Sequence, residues 1–248
     1  MNLVLQIAGQ TVSVNTETFD MTNWFQRYLG DGPCDIQVCI CPEEIAFERA
    51  KAMQEDILEE IAPRTFTEEY LMFVALQRKI TEALFSRDIL LFHGSVVAVD
   101  GVSYLFTAKS GTGKSTHTRL WREMLGDRAV MVNDDKPFLQ LTDYGVIAHG
   151  SPWNGKHRLG ENISVPLKAI CILERSPENW IKSVSAARAL PMLFQQSQRP
   201  RNPANMPKYM ELIDRLANGV EFYRMGCNMD PEAALVSYRA MSRERKDE

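Results

Sequence analysis

Ala108-Lys-Ser-Gly-Thr-Gly-Lys-Ser-Thr116 follows the apolar run Val102-Ser-Tyr-Leu-Phe-Thr107 and leads into a stretch with helical spacing. The nine residues meet the phosphate-loop (Walker A) pattern at every fixed position but the first, where Ala108 stands for glycine. Gly111 and Gly113 let backbone amides turn inward around an anion, since glycine adopts the required dihedrals without a Cβ clash. Lys114 supplies a point charge for the β and γ oxygens, and Ser115 a hydroxyl for Mg²⁺. The helix beyond directs its positive end at the polyphosphate. Ser110, Gly111, Thr112, Gly113, Lys114, Ser115 and Thr116 are therefore expected to hold ATP. Leu120, Trp121, Met124 and Leu125 recur at helical spacing, so this loop has a strand before it and an amphipathic helix after it. A Gly-Ser surface loop ahead of an ordinary helix leaves those two flanks unexplained.

Downstream, Ala129-Val-Met-Val-Asn-Asp-Asp135 ends an apolar strand in paired carboxylates. Asp134 and Asp135 can hold a metal and accept a hydroxyl proton, because crowding raises the pKa of one while a nearby Mg²⁺ keeps the other ionised. The alternative is a solvated turn, since Asp is common at strand ends. Upstream, Leu90-Leu-Phe-His-Gly-Ser-Val-Val-Ala-Val99 reads as one strand, joined by Asp100-Gly101 to the strand before the loop, a two-residue hairpin. His93 lies at its start, either as a buried, satisfied side chain or as part of a site. Gly150-Ser-Pro-Trp-Asn-Gly-Lys156 reads as an ordered loop, with Lys156 and Arg158 available to an anionic substrate, or as a surface turn with Trp153 folded onto the core.

Further strands are expected at 138–141, 145–150 and 168–174, and helices near 184–197, 207–217 and 230–242, the last opening on Asp230 as cap and Pro231 in the first turn. Arg199, Arg201 and Lys208 read as a solvated basic connection, and Ser242–Glu248 as a solvated terminus. The first third differs: a hairpin about Ala8-Gly9-Gln10, a strand at 35–41, then two helices divided by Pro63. The expected division is a small α+β appendage over 1–86 and an α/β catalytic domain over 87–248.

A formal charge of −4 gives no broad positive field, so nucleic acid is an unfavourable partner. Without a basic leader or a long apolar run the chain reads as cytoplasmic, with no membrane span. Five cysteines read as reduced thiols; Cys39 and Cys41, two apart, are expected to pack on one strand face, and no partner pair follows at zinc-ligand spacing.

His93-Gly94-Ser-Val-Val, a short hairpin, Ser110–Ser115 and then Asn133-Asp134-Asp135 together resemble the catalytic core of HPr kinase/phosphorylase and, more distantly, of phosphoenolpyruvate carboxykinase. The resemblance covers roughly 90–175. It implies an α/β fold with a mixed β-sheet and flanking helices. By position it implies Lys114 on the phosphates, Ser115 and one of the aspartates on Mg²⁺, Asp134 as base on the acceptor hydroxyl, and His93 beside that base. The family's Glu-x-Arg-Gly signature is replaced here by Ala148-His149-Gly150-Ser151, which leaves phosphorylase activity and HPr as acceptor unsupported. Related kinases act on free amino acids or on peptides from dedicated gene clusters. The expected activity is transfer of the γ-phosphoryl group of ATP to a hydroxyl of a small molecule, peptide or protein, a serine-type acceptor being favoured. The alternative is an ATP-binding regulator without transfer. The family's assembly leaves a homo-oligomer open.

Overall fold

The computed structural model describes residues 2–16 and 19–243; positions 244–248 of the charged terminal run lie outside the described residues. It divides into two compact units, Met1–Arg87 and Asp88–Glu248.

In the first unit β1 (Asn2–Ile7) and β2 (Gln10–Thr16) are antiparallel across a tight turn in which both Ala8 and Gly9 have positive φ, 50° and 72°. This is the turn geometry whose twist suits a hairpin. After the short α1 (Thr22–Phe25), β3 (Ile36–Ile40) joins β2 in parallel. Ile36, Val38 and Ile40 face inward, and the period of two therefore sends Cys39 to solvent. The expected packing of Cys39 and Cys41 on a core face is corrected: the isoleucines and valine take it, and Cys41 sits at the N-cap of α2 (Pro42–Leu58). No cluster of three or more metal-ligating side chains occurs among the described residues. α2 and α3 (Glu68–Leu84) are joined by a segment tied to the buried Asp56, which accepts hydrogen bonds from the Arg64 backbone N–H (2.7 Å) and Nε (2.6 Å). Arg78 of α3 reaches Glu48 and Glu44 of α2, both at 2.5 Å.

The second unit is built on a mixed nine-stranded sheet. β4 (Ile89–Leu91), β5 (Ser95–Val99), β6 (Val102–Thr107), β7 (Ala129–Asn133), β8 (Phe138–Thr142) and β9 (Gly145–His149) are short; β10 (Ser164–Arg175) is long enough to join two ribbons. Its first residues pair antiparallel with β9, and its remainder lies parallel to β6 and to β12 (Glu221–Cys227), which also takes β11 (Trp180–Ser183) antiparallel. The helices are α4 (Lys114–Leu125), α5 (Ala186–Gln196), α6 (Met206–Gly219) and α7 (Glu232–Met241). Trp121 of α4, fully buried, packs on Tyr104, Phe106 and Tyr238, and its indole N–H donates to Ser237 Oγ of α7 at 2.8 Å. An aromatic of this size removes about 150–250 Å² from water, so it anchors α4, and with it the start of the helix, to the sheet.

The run Leu90–Val99 is two strands rather than the one expected. β4 pairs with β8, whereas β5 pairs with β6 and β7, and the chain changes partners at His93-Gly94. A Cβ on Gly94 would meet Leu105 Cδ2 at 2.9 Å and Phe106 O at 3.1 Å, so the break needs glycine. Asp230 does not cap α7: its carboxylate accepts from Asn228 Nδ2 at 2.8 Å, and Pro231 is the N-cap. Lys208, expected in a solvated connection, lies in the first turn of α6 with its Nζ 2.7 Å from Asp88. β11 and β12 were not legible in the sequence, because Lys182, Glu221 and Arg224 interrupt their apolar alternation.

Candidate functional site

β6 ends at Thr107, and Ala108 is fully buried in the core behind the loop. Gly111 and Gly113 have φ of 73° and 117°, and α4 starts at Lys114. The absence of glycine at 108 is explained here: Ala108 is not among the positive-φ residues, and its methyl fills core space. Lys114 Nζ lies 3.3 Å from Ala108 O, folded back over its own loop. Its pKa is pushed down, first by burial and then by Lys136, against the pull of Asp135 and Asp134.

The aspartates follow β7 and are fixed by a side chain to which the sequence assigned no role. Asn133 is fully buried; its Oδ1 accepts the backbone N–H of Asp135 (2.8 Å) and of Lys136 (2.7 Å), while its Nδ2 donates to Ser151 O and Oγ. Asn154 Oδ1 accepts the Asp134 N–H at 2.8 Å. Ser95 Oγ donates to Asp134 Oδ1 at 2.6 Å and lies 2.8 Å from Thr118 Oγ1 on α4. The Gly150–Lys156 stretch thus buttresses the aspartate turn, with Trp153 buried edge-on to Phe138. Lys156 and His157 line the same cavity as the aspartates; Arg158 is exposed and is not among the lining residues.

That cavity, about 590 Å³, brings together His93, Ser110, Gly111, Gly113, Lys114, Ser115, Thr116, Asp134 and Asp135. Thr112 lines a second cavity on the other side of the loop. A smaller cavity of about 140 Å³ continues past Ser115 and Asp134 to Arg119, Arg122 and His157.

The position of His93 differs from that implied by the resemblance. Its Nε2 is 3.3 Å from Asp135 Oδ1, while Asp134 is partnered by Ser95. The break in strand pairing sets this up: Gly94 N–H donates to Asp135 O at 3.1 Å, and Thr107 Oγ1 donates to His93 O at 3.0 Å. Burial pushes the His93 pKa down to about 4, helped by the cations Lys136 and Lys114, so the imidazole is neutral at pH 7. Asp135 is pushed up, chiefly by burial and least by Asp134, while Lys136 and Lys114 oppose the rise. Crowding by Asp134 raises Asp135 in the expected direction, and exclusion of water adds a larger push the same way. Lys136 Nζ stands 3.8 Å from Asp135 and is itself pushed down by burial.

The model of the family described as SynChlorMet cassette protein ScmC matches residues 58–206, more than half of the chain. The chain belongs to the ScmC family. No curated protein matches the sequence of this ScmC-family chain. Among solved structures, the Hpr(Ser) kinase/phosphatase from Coxiella burnetii is similar at 16% identity and a TM-score of 0.29, covering 50% of the ScmC-family chain and 88% of its own.

Ser95, Asn133, Asn154 and Arg175 are the residues of this candidate site to which the sequence assigned no role. Arg175 Nη2 donates to Gly111 O at 2.7 Å from the far end of β10. Only the buried polar character of Ser95 within an apolar run could have signalled its role. No helix among the described residues is long and apolar enough to cross a membrane.

Proposed function

We propose that this chain is an ATP-dependent kinase with a phosphate-loop core of the HPr kinase type, transferring the γ-phosphoryl group to a hydroxyl of a small molecule, peptide or protein. The observation that carries the reading is one cavity walled by the positive-φ glycines, Lys114 and the start of α4 on one side and by Asp134, Asp135 and His93 on the other. Phosphoryl transfer asks the protein for positioning and charge neutralisation at such a junction.

Ser115 and Asp134 present a hydroxyl and a carboxylate to this cavity, an all-oxygen donor set that fits Mg²⁺. Bound there, Mg²⁺ supplies positive charge to the phosphate oxygens. Lys114 and the loop amides hold the β and γ oxygens. We assign the acceptor proton to Asp135 in place of Asp134, a reading supported by the contact of Asp135 with His93. Burial pushes its pKa up, which suits a proton acceptor, and neutral His93 at 3.3 Å can orient it. The acceptor oxygen bonds to the γ-phosphorus, the bond to the bridging oxygen of ADP breaks, and the hydroxyl proton passes to Asp135. Lys156 and His157 at the rim are placed to meet an anionic group on the acceptor. The cytoplasm is the compartment that supplies ATP to such an enzyme.

The test is incubation of the purified chain with γ-labelled ATP and Mg²⁺, with and without pooled amino acids, polyols, peptides and HPr, scoring labelled product by mass. Label on a hydroxyl compound that vanishes in Lys114→Ala and Asp135→Asn is expected, with Asp135→Asn retaining nucleotide binding. Wild-type turnover in Asp135→Asn alongside a dead Asp134→Asn would return the base role to Asp134. ATP bound but never consumed would make the chain a nucleotide-sensing regulator.

A further inference from the structure

Two cavities, each about 590 Å³, flank the 108–116 loop, and both are lined by Gly111, Gly113 and Thr116. The loop is their common wall. The first carries His93, Lys114, Asp134 and Asp135. The second lies where parallel strands β6, β10 and β12 end side by side: the loop springs from β6, Arg175-Ser176-Pro177 from β10, and Cys227-Asn228-Met229 from β12. A crevice outside the carboxyl ends of adjacent parallel strands is where open α/β sheets bind ligands.

The chemistry of the two cavities is opposite. Among the described residues no carboxylate lines the second, and the one permanent cation that does, Arg175, is already bonded to Gly111 O. Pro177, Cys227 and Met229 give it apolar surface. The walls are preformed: Ser176 N–H donates to Cys227 O at 3.1 Å, Asn228 Nδ2 to Pro177 O at 3.1 Å, and Asn228 N–H to Asn179 Oδ1 at 3.1 Å. The volume lies within the range of about 300–1,000 Å³ usual for small-ligand sites.

We propose that this second cavity holds the nucleoside half of the donor nucleotide, its heterocyclic base against Pro177, Met229 and the Arg175 side chain. The inference rests on the reading of 108–116 as a phosphate loop and adds to it a direction. On that reading the γ-phosphoryl group emerges beside Asp135, so the sugar and base leave the loop toward the other cavity, where no carboxylate among the described lining residues repels a phosphate. Thioether sulfur and a planar guanidinium both pack well on aromatic rings. Through its bond to Gly111 O, Arg175 joins base occupancy to loop shape.

Met229 is 76% exposed, so replacing it leaves the core intact. Calorimetric titration of ATP and of inorganic tripolyphosphate, each with Mg²⁺, into wild type and Met229→Gln is expected to show ATP weakened about two- to tenfold, the worth of a sulfur–ring contact, and tripolyphosphate unchanged. In parallel, N-ethylmaleimide modification of half-buried Cys227, followed peptide by peptide, is expected to slow with ATP and not with tripolyphosphate. Equal binding of ATP by both proteins together with an unprotected Cys227 overturns the nucleoside placement while leaving the phosphate loop standing. Wild-type protein that binds neither ligand overturns both.

Discussion

Replacing Ser95 by alanine removes one oxygen from the interior and nothing from the cavity wall. Ser95 is fully buried, and its hydroxyl donates to Asp134 Oδ1 at 2.6 Å while touching Thr118 Oγ1 at 2.8 Å. Asp134 is only 9% exposed, so water cannot readily replace the lost donor. A hydrogen bond to a charged group contributes about 1.5–3 kcal/mol, and the methyl fits where the CH₂ stood, so that range is the expected destabilisation. In a unit of this size it corresponds to a fall in Tm of about 3–12 °C. Urea unfolding should show a lower midpoint with an unchanged slope. The double-mutant cycle with Asp134→Asn isolates the contact, and a coupling of about 1 kcal/mol or more is expected. The proposed transfer should fall, and the Mg²⁺ concentration it needs for half-maximal rate should rise, because Asp134 loses the side-chain contact that aims its carboxylate. An unchanged Tm together with additive single-mutant effects would refute the claim that Ser95 positions Asp134.

Acid should destabilise the second unit through its histidines. Burial holds His117 and His149 at about 4 against an ordinary 6.5, so the unfolded chain binds more protons between those values and stability, complete above pH 6.5, falls as pH drops toward 4. The limit is about 3 kcal/mol per histidine, and His149→Gln should flatten the difference between urea curves at pH 7 and pH 4.5. In the first unit, Arg78→Met strands the buried Glu48 and should cost about 3–5 kcal/mol, while Arg78→Met with Glu48→Leu should recover most of it; hydrogen exchange in α2 and α3 reads both. A methyl in Gly160→Ala would stand 2.7 Å from Val132 O and 2.8 Å from Asn154 Cγ, displacing the side chain that holds the Asp134 N–H. The proposed transfer should drop although no reacting group is changed, with a loss of about 1–3 kcal/mol in denaturant titration.

The sequence by itself determined what depends on neighbours along the chain. Val102–Thr107, the glycine loop and the apolar stripe of α4 are legible because strand, turn and helix each need particular residues within one local window, and Gly111 and Gly113 do carry positive φ. The Asp134-Asp135 pair is legible for the same reason, as the polar end of an apolar strand. Tertiary structure alone decided what surrounds these groups. The Ser95–Asp134 contact spans 39 positions, Asn154–Asp134 spans 20 and Arg175–Gly111 spans 64. Such pairs are set by which strands lie side by side. No local pattern shows that one apolar run, Leu90–Val99, must part at His93-Gly94 to serve two strand pairings, and that parting brings His93 to Asp135. Pairing partners also exposed Cys39 and made strands of the charge-bearing β11 and β12. A side chain's face and its water exclusion, hence the raised pKa of Asp135, belong to the packed sheet and not to its segments.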